Sequence, residues 1–134
     1  MKEWTKLRNS NANYIINKIK ELHIVNVPEI DKNYVHAFYK LYITLNNEFI
    51  KPGKNRSNIL DALISEGVNA SFGSCGRIFA EKAFKNTKTI PNGLPVSSLL
   101  ERNSIMLQVH PTMTAKELKH TAKTLHKVLL DHQK

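Results

Sequence analysis

The sequence predicts an α+β fold, a two-layer sandwich with a three- to four-stranded, mostly antiparallel sheet and helices on one face. Three patterns point to it. Apolar residues recur at helical spacing at both ends of the chain. Short runs between them alternate from one face to the other. Glycines and helix-capping residues punctuate the boundaries.

The first element is an amphipathic helix over Glu3–Leu22, with Ala12, Ile15, Ile16, Ile19 and Leu22 on one stripe. A short extended segment follows at Val25–Val27, and Pro28 ends it. Tyr34–Leu45 reads as a long strand, because Val35, Ala37, Tyr39, Leu41, Ile43 and Leu45 alternate with Tyr34, His36, Phe38, Lys40, Tyr42 and Thr44. The second of these faces is partly aromatic, so a neighbouring domain or subunit is expected to cover part of it. Asn46–Arg56 is a turn-rich connection around Pro52-Gly53.

Ser57 is placed to cap a helix over Asn58–Glu66, and Gly67 is its stop signal. Val68–Phe72 reads as a short strand, Gly73–Gly76 as a tight loop and Arg77–Phe84 as a short helix. A polar loop over Lys85–Gly93 leads to a helix at Leu94–Glu101 and a strand at Ser104–Val109. Thr114 and Glu117 form the capping-box pattern T-x-x-E. They open a last helix to about His132, with Leu118, Ala122, Leu125 and Leu129 inward and Lys116, Lys119, Lys123 and Lys127 outward.

A chain of 134 residues is long enough for one domain with a core of its own, and 1–134 is read as one domain. No stretch reaches the length of a membrane-spanning helix. Met1–Trp4 leads into no apolar signal-peptide core, and Cys75 is the single cysteine, so a reducing, cytoplasmic setting is expected. The net charge is +9, and 16 of the 20 positive residues are lysines spread along the chain rather than gathered in a run. That distribution suits a solvated surface. A polyanion-binding face and attraction of an anionic sugar nucleotide are the two functional alternatives. Nucleic acid is not favoured, because no arginine-rich or RNP-like aromatic motif is present.

Chemistry-bearing motifs are sparse. His23, His36, His110, His120, His126 and His132 show no i,i+4 pair, which argues against zinc. His110 reads as a packed or capped strand-end residue that could instead face a ligand. His120, His126 and His132 read as solvated. No phosphate-cradling P-loop or dinucleotide fingerprint occurs. Cys75 sits among glycines near a helix start, which would lower a thiol pKa, yet no histidine or acid lies close in sequence. It reads as a free loop cysteine rather than a nucleophile.

Ordered short blocks carry more information. They are Arg8-Asn9 with Asn11-Ala12, then His36–Lys40, then Asn55–Ser57 with Ala62-Leu63 and Glu66–Val68. Gly73-Ser74-Cys75-Gly76-Arg77-Ile78-Phe79, Glu81–Phe84, Leu94–Val96 and Val109–Thr114 complete the set. Together they resemble the C-terminal small domain of the DegT/DnrJ family of nucleotide-sugar aminotransferases, pyridoxal-phosphate (PLP) enzymes of the aspartate-aminotransferase fold type.

The resemblance implies that the Schiff-base lysine lies in a larger preceding domain that this chain lacks. It therefore implies no catalytic residue here, no PLP bound to this chain alone, and PLP in the full-length enzyme. It implies glutamate as amino donor, a nucleotide-linked keto sugar as acceptor, and a homodimer. The loop Ser71–Ile78 would touch substrate, with Ser71, Gly73, Ser74, Cys75 and Arg77 as the contacting residues. Glycines there permit close backbone approach, and Arg77 offers a bidentate contact to an anion. Gly76 and Arg77 depart from the family's usual Pro or Ser and acidic or His residues, which leaves the sugar open. The reading from another class is a stand-alone α+β interaction module that binds a protein or polyanion. It would use the aromatic face Tyr34, Phe38 and Tyr42 and the basic helix from Lys116.

Overall fold

A computed structural model of the chain describes residues 1–73, 76–84, 86 and 94–134. Four helices and four strands form the α+β fold: α1 (Lys2–Ile19), β1 (Val25–Asn26), β2 (Leu41–Leu45), α2 (Arg56–Ser65), β3 (Ala70–Ser71), α3 (Pro95–Asn103), β4 (Ser104–Leu107) and α4 (Ala115–His132). The sheet order is β1-β2-β4-β3, and every neighbouring pair is antiparallel. Leu41 pairs with Leu107 and Ile43 with Ile105, so the inward residues of β2 and β4 share one face.

That face is the core. Leu41, Ile43, Leu45, Ile105 and Leu107 pack with Ala12, Ile15 and Ile19 of α1, Ile59 and Leu63 of α2, and Leu125 and Leu129 of α4. Burial of each large aliphatic side chain contributes roughly 1.5–3 kcal/mol. The alternation of β2 sends Tyr42 and Thr44 to the second face, where Tyr42 stands opposite Met106. Met106 is also buried, so this face is covered in part. α3 flanks it.

The capping signals are realised with one shift. Thr114 Oγ1 accepts from Glu117 N, and the Glu117 carboxylate accepts from Thr114 N, as the sequence pattern predicts. The α2 cap is Asn55 rather than Ser57, because the Asn55 side chain accepts from both Ser57 N and Asn58 N. Asn58 Oδ1 returns a bond to Asn55 N at 2.9 Å, so Asn55 closes a box that Ser57 does not. Gly67 ends the helix segment at φ +78°.

The long strand over Tyr34–Leu45 is not formed as expected. Only Leu41–Leu45 is strand. Phe38 takes a positive φ of 40°, which breaks the extended run and inverts its phase. Phe38 is therefore 1% exposed, whereas Val35 is 83% and Tyr39 is 74% exposed. Burial of the Phe38 ring and a bond from Phe38 N to His36 Nδ1 hold the unusual backbone. The aromatic face of Tyr34, Phe38 and Tyr42 consequently does not exist as a unit.

Other boundaries are shorter than predicted. α1 stops at Ile19, and β3 keeps only Ala70–Ser71. Arg77–Phe84 forms two 3-10 turns, Ile78–Ala80 and Lys82–Phe84, in place of one helix. The polar loop over Lys85–Gly93 lies, apart from Asn86, outside the described residues.

Candidate functional site

The second face of the sheet carries the site. β3 ends at Ser71, and the chain turns at once, with Gly73 N donating to Ser71 Oγ at 3.1 Å. Gly73 has φ +90°, and a Cβ there would lie 2.5 Å from Tyr42 Cε1. Only glycine lets the loop backbone rest on that ring. Gly76 is equally constrained from the other side, since its Cβ would lie 2.6 Å from Glu101 Cβ. Gly73 thus rests against Tyr42 of β2 and Gly76 against Glu101 of α3.

Two arginines converge on Glu101. Arg77 donates its Nε–H to the Glu101 carboxylate. Arg56, at the first residue of α2, donates to the backbone carbonyl of Glu101 and to Ser104 O at 3.2 Å. Its guanidinium lies 4.1 Å from the Phe72 ring centroid. Burial lowers the Arg56 pKa, and the Glu101 charge opposes that shift. Arg56 thus ties the start of α2, the end of β3 and the last turn of α3 together.

A cavity of about 430 Å³ opens beside this cluster. Tyr42, Thr44, Phe72, Gly76, Leu100 and Glu101 are among the residues that line it. Apolar walls with a few hydroxyls and one carboxylate suit an amphipathic small molecule. Among the described residues no group of three His, Cys, Asp or Glu side chains could hold a metal ion.

Of the five loop residues singled out from the sequence, Ser71 and Gly73 meet at the turn, and Arg77 sits beside Glu101. Ser74 and Cys75 lie outside the described residues. Sequence reasoning did not single out Glu101 or Phe72, and it gave Arg56 and Tyr42 no part in the site. Arg56 stands 45 positions from Glu101, and no local spacing could join them. The available signal was the unusual pair Gly73 and Gly76, which asks what crowds each glycine.

Other singled-out residues do structural work. His110 Nδ1 bonds to Thr112 Oγ1 at 2.7 Å, and its carbonyl accepts from Asn11 Nδ2 at 3.0 Å. His120 and His132 are not simply solvated, since each ring bonds a main-chain carbonyl, Glu66 O and Val128 O.

A Schiff-base lysine requires a pocket that desolvates its amine. Every described lysine is exposed except Lys40, which is half-buried with its Nζ 5.5 Å from the Tyr39 ring centroid. The described residues therefore do not fit PLP as its covalent partner.

Comparison with known proteins agrees with the fold. No curated protein matches the sequence. The profile of the DegT/DnrJ/EryC1/StrS aminotransferase family matches residues 1–126. An aminotransferase from Psychrobacter cryohalolentis is 30% identical with a TM-score of 0.90, over 98% of this chain and 36% of that one. A DegT DnrJ EryC1 StrS aminotransferase from Brucella abortus is 21% identical with a TM-score of 0.76, over 92% of this chain and 31% of that one. The sugar aminotransferase CalS13 from Micromonospora echinospora is 17% identical with a TM-score of 0.77, over 94% and 31%. The last two show the shared fold. The α+β architecture matches one portion of each of these aminotransferase structures. The chain belongs to the DegT/DnrJ/EryC1/StrS aminotransferase family. It spans about a third of the length of the solved enzymes it matches.

Proposed function

We propose that this chain is the substrate-contacting small domain of a cytoplasmic PLP-dependent aminotransferase. The enzyme would move an amino group from glutamate to a nucleotide-linked keto sugar. PLP would be held by a larger domain, which also supplies the reactive lysine. Alone, the chain binds substrate groups and does not transaminate.

The observation that carries this reading is the close approach of Gly73 to Tyr42 and of Gly76 to Glu101, with Arg77 aimed by the Glu101 carboxylate. An arginine has five N–H donors. Among the described residues Glu101 engages only Nε, which leaves the two terminal nitrogens for a phosphate or carboxylate. The role of this chain's residues is to bind, orient and exclude water. Phe72 and Leu100 supply apolar walls, and Thr44 and Ser104 supply polar contacts.

Docking to a larger domain or a second subunit is supported by a separate patch. Trp4 and Leu7 of α1 are 58% and 43% exposed. Asn9 Nδ2 donates to His36 O at 2.6 Å, which brings exposed Val35 to the same end of α1. Trp4 and Leu7 stand one turn apart on one face of α1, and large exposed apolar groups of this kind mark an interface.

The test is a resonance titration of the ¹⁵N-labelled chain with UDP-glucose, together with an assay of the chain with PLP, glutamate and a nucleotide-linked keto sugar. Saturable shifts at Phe72, Gly73, Gly76 and Arg77, without turnover, are expected. Turnover by the chain alone, or no shift at the loop, refutes the reading.

A further inference from the structure

The first turn of α2 borders a second cavity that shares no lining residue with the first, while Arg56 belongs both to this cavity and to the cluster around Glu101. Its volume is about 520 Å³. Lys51, Lys54, Arg56 and Arg102 line it, and no Asp or Glu does. Four positive charges around one small space, with no lining carboxylate, create a strong positive potential.

The partners of these cations sharpen the point. Lys51 Nζ donates to Asp131 O at 2.7 Å, and Arg56 donates to Glu101 O and Ser104 O, so both bond main-chain carbonyls, with the Glu101 charge also acting on Arg56. Lys54 and Arg102 form no ion pair with a described residue. The last carbonyls of α3 would repel an anion, and Arg56 covers one of them, that of Glu101. The positive end of the α2 dipole faces the same space.

An independent observation is Asn103. It is 6% exposed and lines the cavity. Its Oδ1 accepts from Asn47 Nδ2 at 3.1 Å, while its amide nitrogen has no hydrogen-bond partner among the described residues. An amide donor beside Lys54 and Arg102 is suited to an oxyanion.

We infer that the cavity between the 51–57 segment and the C-terminal end of α3 binds a phosphate group of a small, multiply charged anion. Lys54 and Arg102 supply charge from its two sides, and Asn103 donates a hydrogen bond from its floor. This site does not depend on the loop reading above.

The test is a titration of the ¹⁵N-labelled chain with sodium pyrophosphate at constant ionic strength, with inorganic phosphate and UDP as parallel arms. Saturable shifts of the Lys54–Ser57 and Arg102–Ser104 amides are expected with pyrophosphate. The double variant Lys54→Ala/Arg102→Ala should weaken binding about tenfold or more. If that variant loses its dispersed spectrum, Lys54→Gln alone, on an exposed turn, takes its place with a smaller loss of the same sign. Tighter binding of UDP than of inorganic phosphate at these amides assigns the group to a nucleotide, and equal binding assigns it to free phosphate. The proposal is overturned if these amides show no saturable shift, if the variants bind as the parent does, or if Lys119→Ala/Lys123→Ala on α4 has the larger effect.

Discussion

Glu101 receives the Nε–H of Arg77 on its carboxylate and a guanidinium N–H of Arg56 on its main-chain carbonyl. One residue near the end of α3 is thereby the junction between the loop after β3 and the start of α2.

The two arginines should respond differently to removal. The Arg77–Glu101 pair is exposed at 43% and 35%, and such pairs contribute about 0–1 kcal/mol. Arg77→Ala should therefore leave urea stability nearly unchanged while abolishing UDP-glucose shifts at the loop. A large stability loss would make Arg77 a structural residue.

Arg56→Ala should destabilise the chain by about 1–3 kcal/mol, because it leaves the Glu101 and Ser104 carbonyls without their donor. Arg56→Lys should recover only part of this, since an ammonium neither forks nor stacks on Phe72 as a guanidinium does. Urea unfolding of the three proteins checks the order parent, Lys, Ala.

Gly73→Ala meets both a φ of +90° and the Tyr42 ring. The backbone part alone should cost about 1–2 kcal/mol. A Tyr42→Ala background should relieve the contact and leave the backbone cost. Equal losses in both backgrounds would show that the ring does not confine the loop.

Acid should weaken the start of α4. The backbone N–H and hydroxyl of Thr114 hold the Glu117 carboxyl below its ordinary value of 4.5, and the nearby His110 charge adds a smaller pull. A group depressed in the folded state contributes stability above its unfolded value and loses it as pH falls through the folded value. The contribution is thus full near neutrality and disappears below 4.5. Thr114→Ala should cost about 1 kcal/mol at pH 7 and flatten this acid dependence. Stability curves of both proteins between pH 7 and pH 3 decide it.

The legible parts of this fold were those set by local spacing. The Leu41, Ile43 and Leu45 alternation, the stripe of α1 and the Thr114–Glu117 box each lie within one element and are observed. Failure came where tertiary packing overruled a period. Phe38 sits inside because its ring fills the core, and the backbone bends to φ 40° to put it there. Alternation over Tyr34–Lys40 could not reveal that. The same limit applies to the site. Its glycines and Arg77 were visible as a motif, but Tyr42, Arg56 and Glu101 reach it only because β4 lies between β2 and β3 and α3 runs directly into β4.

The most direct measurement is the amide titration of the ¹⁵N-labelled chain with UDP-glucose, read residue by residue. Saturable shifts at Phe72, Gly73, Gly76, Arg77 and Glu101 that vanish in Arg77→Ala are expected. Shifts confined to Lys54, Arg102 and their neighbours, or none at all, would contradict a substrate-contacting role for the loop.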